Sequence, residues 1–225
     1  MNFSVIIDNF HLYWEGLGLT IELVSLSLLL GIFIAIPCAV LATLKNPFYS
    51  IPVFAFSYFF RGTPLLIQIY LIYYGLGQFD WIKASIFWHF LREAYWCALL
   101  AFTLNTAAYT IEILRGTIVS MPIGEIEAAK AFGMSPTLIY RRIILPSALR
   151  RALPAYGNEV IFMLHASSLA SVITLIDITG AARIVNSRFY MPYEAFLTAG
   201  AFYLVLTFTL VFSFKYLEKR WLSYL

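Results

Sequence analysis

The chain has 225 residues, of which 61% are hydrophobic and only 12% charged, with a mean hydropathy of +0.82. A water-soluble domain of this size needs about twice that charged fraction to cover its surface, so the composition excludes that class and points to a membrane protein. The net charge of +3 is too small to indicate a nucleic-acid partner, and its distribution along the chain carries more information than its sum.

Residues 3–14 place Phe3, Ile6, Ile7, Phe10, Tyr13 and Trp14 at helical spacing, which predicts a short helix in the membrane interface within an N-terminal segment 1–18. That segment has no basic start and no small-residue cleavage site, so it is not read as a signal peptide. Apolar runs then predict five spans near 19–44, 51–75, 95–114, 158–177 and 195–214, against the roughly 20 residues that cross a bilayer core; the first is unusually long and is expected to tilt or extend beyond the bilayer. The expected fold class is an all-α integral membrane protein of about five transmembrane helices. With five spans, Lys45, Arg115, Lys130, Arg141, Arg142, Arg150, Arg151, Lys215, Lys219 and Arg220 fall on one side, against Lys83, Arg92, Arg183 and Arg188 on the other. The positive-inside rule puts the first set in the cytoplasm, the N-terminus outside and the C-terminus inside.

Cys38 and Cys97 lie in or near predicted spans and read as buried small residues, not a disulfide. His11, His89 and His165 are too scattered for a metal site. There is no Gly-rich phosphate loop, nucleophile elbow or metalloprotease helix, which agrees with a protein that performs no catalysis and holds no cofactor of its own.

Residues 115–153 form a polar, basic segment between spans. Ser120 is expected as an N-cap, with Pro122 near the first helical position. Glu125 and Glu127 follow in the first turns, where carboxylates suit the helix dipole. Ala128, Ala129 and Ala131 are expected to give a smooth surface that another protein can approach. Gly133 stops this helix, Ser135 and Pro136 start a second, and Pro146 is expected to end it.

The pattern Glu127-Ala128-Ala129, Gly133, Ile143-Ile144-Leu145-Pro146 resembles the EAA loop of ABC importer permeases, the surface that docks on the ATP-hydrolysing subunit. The resemblance extends to Arg61-Gly62-Thr63-Pro64-Leu65, to the stretch from Asn105 to Ile113, to Leu145–Arg150, to Leu153–Glu159 and to the tail from Glu218 to Leu222. This set is most similar to the polar amino acid branch, M-type subunits of histidine/lysine/arginine/ornithine importers and their opine-importing relatives. It implies a permease domain over 19–225 with its coupling loop at 115–153, in a bacterial inner membrane. It also implies a related Q-type chain or a second copy as partner, two ATP-binding subunits that carry ATP and Mg, and a periplasmic amino acid binding protein. Where many such permeases have Lys-Asp-Thr-Ser-Leu, this chain reads His165-Ala166-Ser167-Ser168-Leu169, which makes acidic or glutamine-type substrates less expected.

Polar residues inside spans are costly and therefore face a cavity or a partner. Asn105, Tyr109 and Glu112 recur at i, i+4 and i+7 on one face of the third span. That stripe reads as the substrate path, with Glu112 meeting a cationic amino acid; the other reading pairs Glu112 with Arg61 or Arg115. Arg61, followed by Gly62 and Pro64, is read either as a contact for the substrate carboxylate or as the partner of a buried Glu. Asn158, His165 and Ser168 share a face of the fourth span, with Glu159 beside it as a gate or stem residue. Three alternatives stay open: a permease for another solute such as an opine, an ATP-independent channel or carrier, and a membrane-embedded enzyme.

Overall fold

The computed structural model describes residues 3–222, all of whose regular elements are helical. Three helices are each long and apolar enough to cross a membrane, and two bent helix pairs, each counted as one span, bring the number to as many as five among the described residues.

A five-residue helix α1 (Ser4–Asp8) leads into α2 (Phe10–Ala42), a single helix of 33 residues. At 1.5 Å per residue α2 is about 50 Å long, well beyond the hydrocarbon core. Residues 10–18, expected to lie apart from the first span, are therefore its opening turns. Tyr13 explains the difference: it is fully buried, and its hydroxyl donates to the Ala195 carbonyl at 3.0 Å. The opening turns of the helix are pinned to the start of the last span.

The second span is not one helix. After α3 (Pro47–Gly62) the chain turns by 103° into α4 (Leu65–Tyr70), which runs on through a π-helical turn to Gln78. Pro64 has no N–H and disfavours helical geometry at Thr63, which is extended at φ −115° and ψ 142°. The carbonyl that Pro64 leaves unpaired is that of Phe60. Gln68 Nε2 donates to it at 2.7 Å, and the Asn105 amide lies 3.3 Å from the same oxygen.

Two short helices, α5 (Asp80–Lys83) and α6 (Trp88–Leu91), connect to α7 (Ala94–Val119). Helix α7 is the centre of the molecule, with 72% of its apolar window buried against 11% for the last span. It packs on α2 through small residues. Ala35, Ala39 and Ala42 are buried, and a β-carbon at Gly31 would come within 2.6 Å of Thr106 Cγ2. Close backbone approach of this kind is how helices associate in lipid, where apolar surface alone gives no driving force.

Ser120 proves to close α7, not to open the next helix: its amide donates to the Gly116 carbonyl at 3.0 Å. Pro122 caps α8 (Ile123–Ala131). Gly133, at φ +75°, then ends α8 as the sequence predicts. Its amide reaches the Lys130 carbonyl at 2.9 Å and the Met134 amide the Ala129 carbonyl at 3.2 Å, the paired bonds of a Schellman cap. Ser135 caps α9 (Pro136–Ile139), which passes through a π-helical turn at Tyr140–Ile144 into α10 (Leu145–Ala166). Pro146 thus lies in the first turn of α10, where its missing N–H costs little, and ends nothing.

The fourth span accordingly begins well before residue 158. Its upper end tightens into a 3₁₀ helix at Ser167–Ile173, where Ser167, Ser168 and Ser171 each donate to the carbonyl three residues back, at 2.7, 2.8 and 2.9 Å. Such local bonds compete with the α-helical ladder. After a 45° bend the chain continues in α11 (Ile178–Phe189). Asp177 fixes this corner, accepting from the Gly180 amide at 2.8 Å and the Tyr203 hydroxyl at 3.0 Å. Helix α12 (Pro192–Trp221) forms the fifth span.

Candidate functional site

A cavity of about 860 Å³ opens beside the break in the second span. Arg61 to Leu65 form one wall, Asn105, Tyr109 and Ile113 of α7 the second, and α10 the third, through Asn158, Glu159, Phe162 and their neighbours. The sequence-derived stripe on α7 is divided by it. Asn105 and Tyr109 face the cavity, whereas Glu112 is not among its lining residues.

Glu112 is committed to two arginines. Arg115 grips it in a bidentate pair, Nη2 to Oε2 at 2.7 Å and Nε to Oε1 at 3.2 Å, and Arg61 Nη1 stands 3.7 Å from Oε2. Arg115 lies three residues along the same helix, within easy reach, and its planar fork matches a carboxylate. Arg61 has a second contact, its guanidinium carbon 5.5 Å from the centroid of the Tyr109 ring. It is therefore held by both Glu112 and Tyr109 while still lining the cavity.

Asn105 donates to Gln68 Oε1 at 3.1 Å, so it joins the brace across the helix break as well as lining the cavity. Gln68 itself is buried, and its Nε2 lies 2.7 Å from the Phe60 carbonyl, 3.0 Å from the Thr63 carbonyl and 2.8 Å from the Thr63 hydroxyl. Sequence reasoning missed this residue, although a lone amide in the run Leu-Leu-Ile-Gln-Ile-Tyr, four residues after a proline, was a signal.

Glu159 is only 7% exposed, lines the cavity, and forms no ion pair among the described residues. Arg61 is the cation whose charge acts on it. A carboxylate and a guanidinium thus face one chamber, and the acid is Glu159, not Glu112. Helical spacing alone had set it beside the functional face of its span.

The structure does not bring His165 and Ser168 to this cavity. His165 Nε2 lies 3.0 Å from the Thr207 hydroxyl of α12, in a separate groove with Gly200 and Phe208. Ser168 donates to the His165 carbonyl at 2.8 Å within its own helix. The 3₁₀ tightening above Ala166 changes the register on which their shared face depended.

The second feature is the surface around α8. Glu127, Ala128 and Lys130 are exposed, as are Ile123 at 71% and Phe132 at 88%. Glu127 forms no ion pair among the described residues, while its neighbour Glu125 meets Arg151 at 3.2 Å. Ala129, expected on the smooth outer surface, is 4% exposed and points inward. With Ile139, Ile144 and Ala148 it packs on the ends of α2 and α7 at Ala39, Ala42, Leu114 and Ile118. Ile143, Leu145 and Pro146 are half-buried along the same junction. The exposed side of α8 is free to meet another protein, and its inner side is wedged into the membrane bundle.

The structure is thus a helical membrane bundle with a polar chamber at a broken helix and an exposed short helix tied to the bundle, the architecture of a membrane permease subunit. The chain belongs to the family of binding-protein-dependent transport system inner membrane components, whose model matches residues 27–223. These are the non-catalytic permease subunits of ABC importers, which sets aside the channel, carrier and enzyme alternatives. It is 48% identical to the octopine transport system permease protein OccM of Rhizobium meliloti, over 94% of this chain and 86% of that one. It is 42% identical to the histidine/lysine/arginine/ornithine transport system permease protein HisM of Escherichia coli K12, over 97% of each. Among solved structures it is similar to an amino acid ABC transporter crystallised with histidines, at TM-score 0.87 and 31% identity over 98% of this chain and 99% of that one.

Proposed function

We propose that this chain is the M-type permease of an importer for a basic amino acid such as histidine, lysine, arginine or ornithine, or for an opine. The observation that carries this reading is that Arg61 and Glu159 both line one chamber. A free amino acid presents a carboxylate and an ammonium, and a basic one adds a second cation. A guanidinium suits the first of these. Glu159, uncommitted to any described ion pair, suits a cation. The names of the two relatives, one for octopine and one for four basic or weakly basic amino acids, support the same class. Asn105 and Tyr109 complete the path, and Glu112 serves it by holding Arg61.

The chain works between partners. A periplasmic binding protein delivers the solute to the outer face, where the N-terminus lies. A Q-type permease chain, or a second copy of this one, closes the open side of the chamber. Two ATP-binding subunits, which carry ATP and Mg, dock on the cytoplasmic knob at Glu127, Ala128 and Phe132. ATP binding drives the knobs together and turns the chamber outward, and hydrolysis returns it inward. Such coupling requires the partners to bind the two states with different affinity.

The test is uptake into vesicles by the whole complex carrying Glu159→Gln. Losing one charge-assisted contact costs about 1.5–3 kcal/mol, so apparent affinity for arginine or lysine falls about tenfold or more. Transport of a neutral polar amino acid changes little. Equal loss for both would show that Glu159 does not read the side-chain cation.

A further inference from the structure

Residues 79–93 join the second span to α7, and their composition does not suit a loop in water. Trp81, Ile86 and Phe87 are 73%, 83% and 67% exposed, three large apolar side chains within seven positions. Soluble surfaces carry such residues singly, and a cluster marks a surface that something covers.

The segment does not project from the molecule. Ile82 is 7% exposed, and the half-buried Trp88 ring lies so close to Gly77 that a β-carbon there would meet it at 3.2 Å. The buried Cys97, in the first turn of α7, lies with its sulfur 3.1 Å from the Leu91 carbonyl. The segment is therefore folded down on the ends of two spans. Its inner side chains hold it there, and its outer ones are turned away from the bundle at the ends of those spans. Asp80 and Lys83, paired at 3.4 Å, and the exposed Arg92 and Glu93 supply the polar partner groups of that zone.

We propose that residues 79–93 form an interfacial anchor, with Trp81, Ile86 and Phe87 inserted at the headgroup–acyl boundary of the bilayer. Tryptophan and phenylalanine beside charged residues at a span end are the chemistry of that boundary, where a flat ring is half solvated and half in lipid. The long side chains of Lys83 and Arg92 reach the phosphates while their stems cover apolar surface. The anchor fixes the mouth of the broken second span relative to the membrane plane. It depends on the spans crossing the bilayer and not on which solute the chamber takes.

The experiment uses the whole importer complex in nanodiscs of brominated phospholipid. The fluorescence difference between the wild-type and Trp81→Phe complexes isolates the Trp81 signal from every other tryptophan. That signal is expected to be quenched most by lipid brominated near the glycerol end of the acyl chain, less by lipid brominated near the methyl end, and little by aqueous iodide. Phe87→Trp in the Trp81→Phe background should restore a component with the same pattern. Quenching by iodide and by neither lipid would place the segment in water and overturn the proposal. Protection from all three would show that a second protein chain covers it, and would overturn it equally.

Discussion

Glu112 and Arg115, one turn apart on α7, form a bidentate ion pair whose closest contact is 2.7 Å. The pair takes out of play the carboxylate that the sequence stripe set in the substrate path. Glu112→Gln is expected to lower transport of charged and neutral substrates alike. Its side chain is 18% exposed and that of Arg115 32%, so the loss lies between the surface and buried cases, about 1–3 kcal/mol of stability. Thermal unfolding of the purified complex, read beside uptake of both substrate types, checks this.

Gln68 closes the carbonyls that Pro64 leaves open, and an apolar residue of similar size leaves them bare. Gln68→Leu is expected to destabilise the complex by about 1–3 kcal/mol. Asn105→Leu removes one strut of the same brace, and the double variant should cost less than the sum because the two amides share a bond. Unfolding midpoints of the four proteins in a double-mutant cycle give the coupling directly.

Two glycines on α2 offer a matched pair. A β-carbon at Gly16 would stand 2.7 Å from the Asp177 carbonyl, whereas at Gly18 nothing lies within 4 Å. Gly16→Ala should push α2 away from the corner that Asp177 holds, at a cost of about 1–3 kcal/mol. Gly18→Ala should be neutral or stabilising by up to about 1 kcal/mol, since alanine favours a helix. Equal behaviour of the two variants in a thermal melt would contradict the packing of α2 against α11.

At the knob, Glu127 is exposed and outside every described ion pair, so its replacement leaves the fold intact. Glu127→Arg and Phe132→Asp are expected to insert normally, keep the unfolding temperature and abolish stimulation of ATP hydrolysis by the loaded binding protein. Normal stimulation with either variant would mean that the ATP-binding subunits dock elsewhere.

How much of this was legible follows one physical line. The third and fifth spans, Gly133 as a helix stop and Ser135 as a cap were readable because each depends on a few neighbouring residues. The same holds for the exposed positions of α8 at Glu127 and Ala128, whereas the inward orientation of Ala129 needs α2 and α7 to be in place. The broken second span was half readable: Gly62 and Pro64 announced a weak point, but neither the 103° turn nor its closure by Gln68 can be read from one segment. The stripe on α7 was readable in part. Periodicity put Asn105, Tyr109 and Glu112 in one row and offered both a substrate contact and a pairing with Arg61 or Arg115 for Glu112; the structure shows the pairing. That Glu159 reaches the chamber from another helix could not be read from one segment.

One helical run links the α8 junction to the chamber wall. From Pro136 to Ile173 the chain is an unbroken helical run, with Ile139 seated at the knob and Glu159 on the chamber wall. Those two residues are about 30 Å apart along the axis, so a tilt of about 5° at one end displaces the other by about 2.6 Å. A displacement of that size separates a carboxylate in contact with a cation from one out of reach, so a small tilt at the α8 end of this run is felt at the chamber wall.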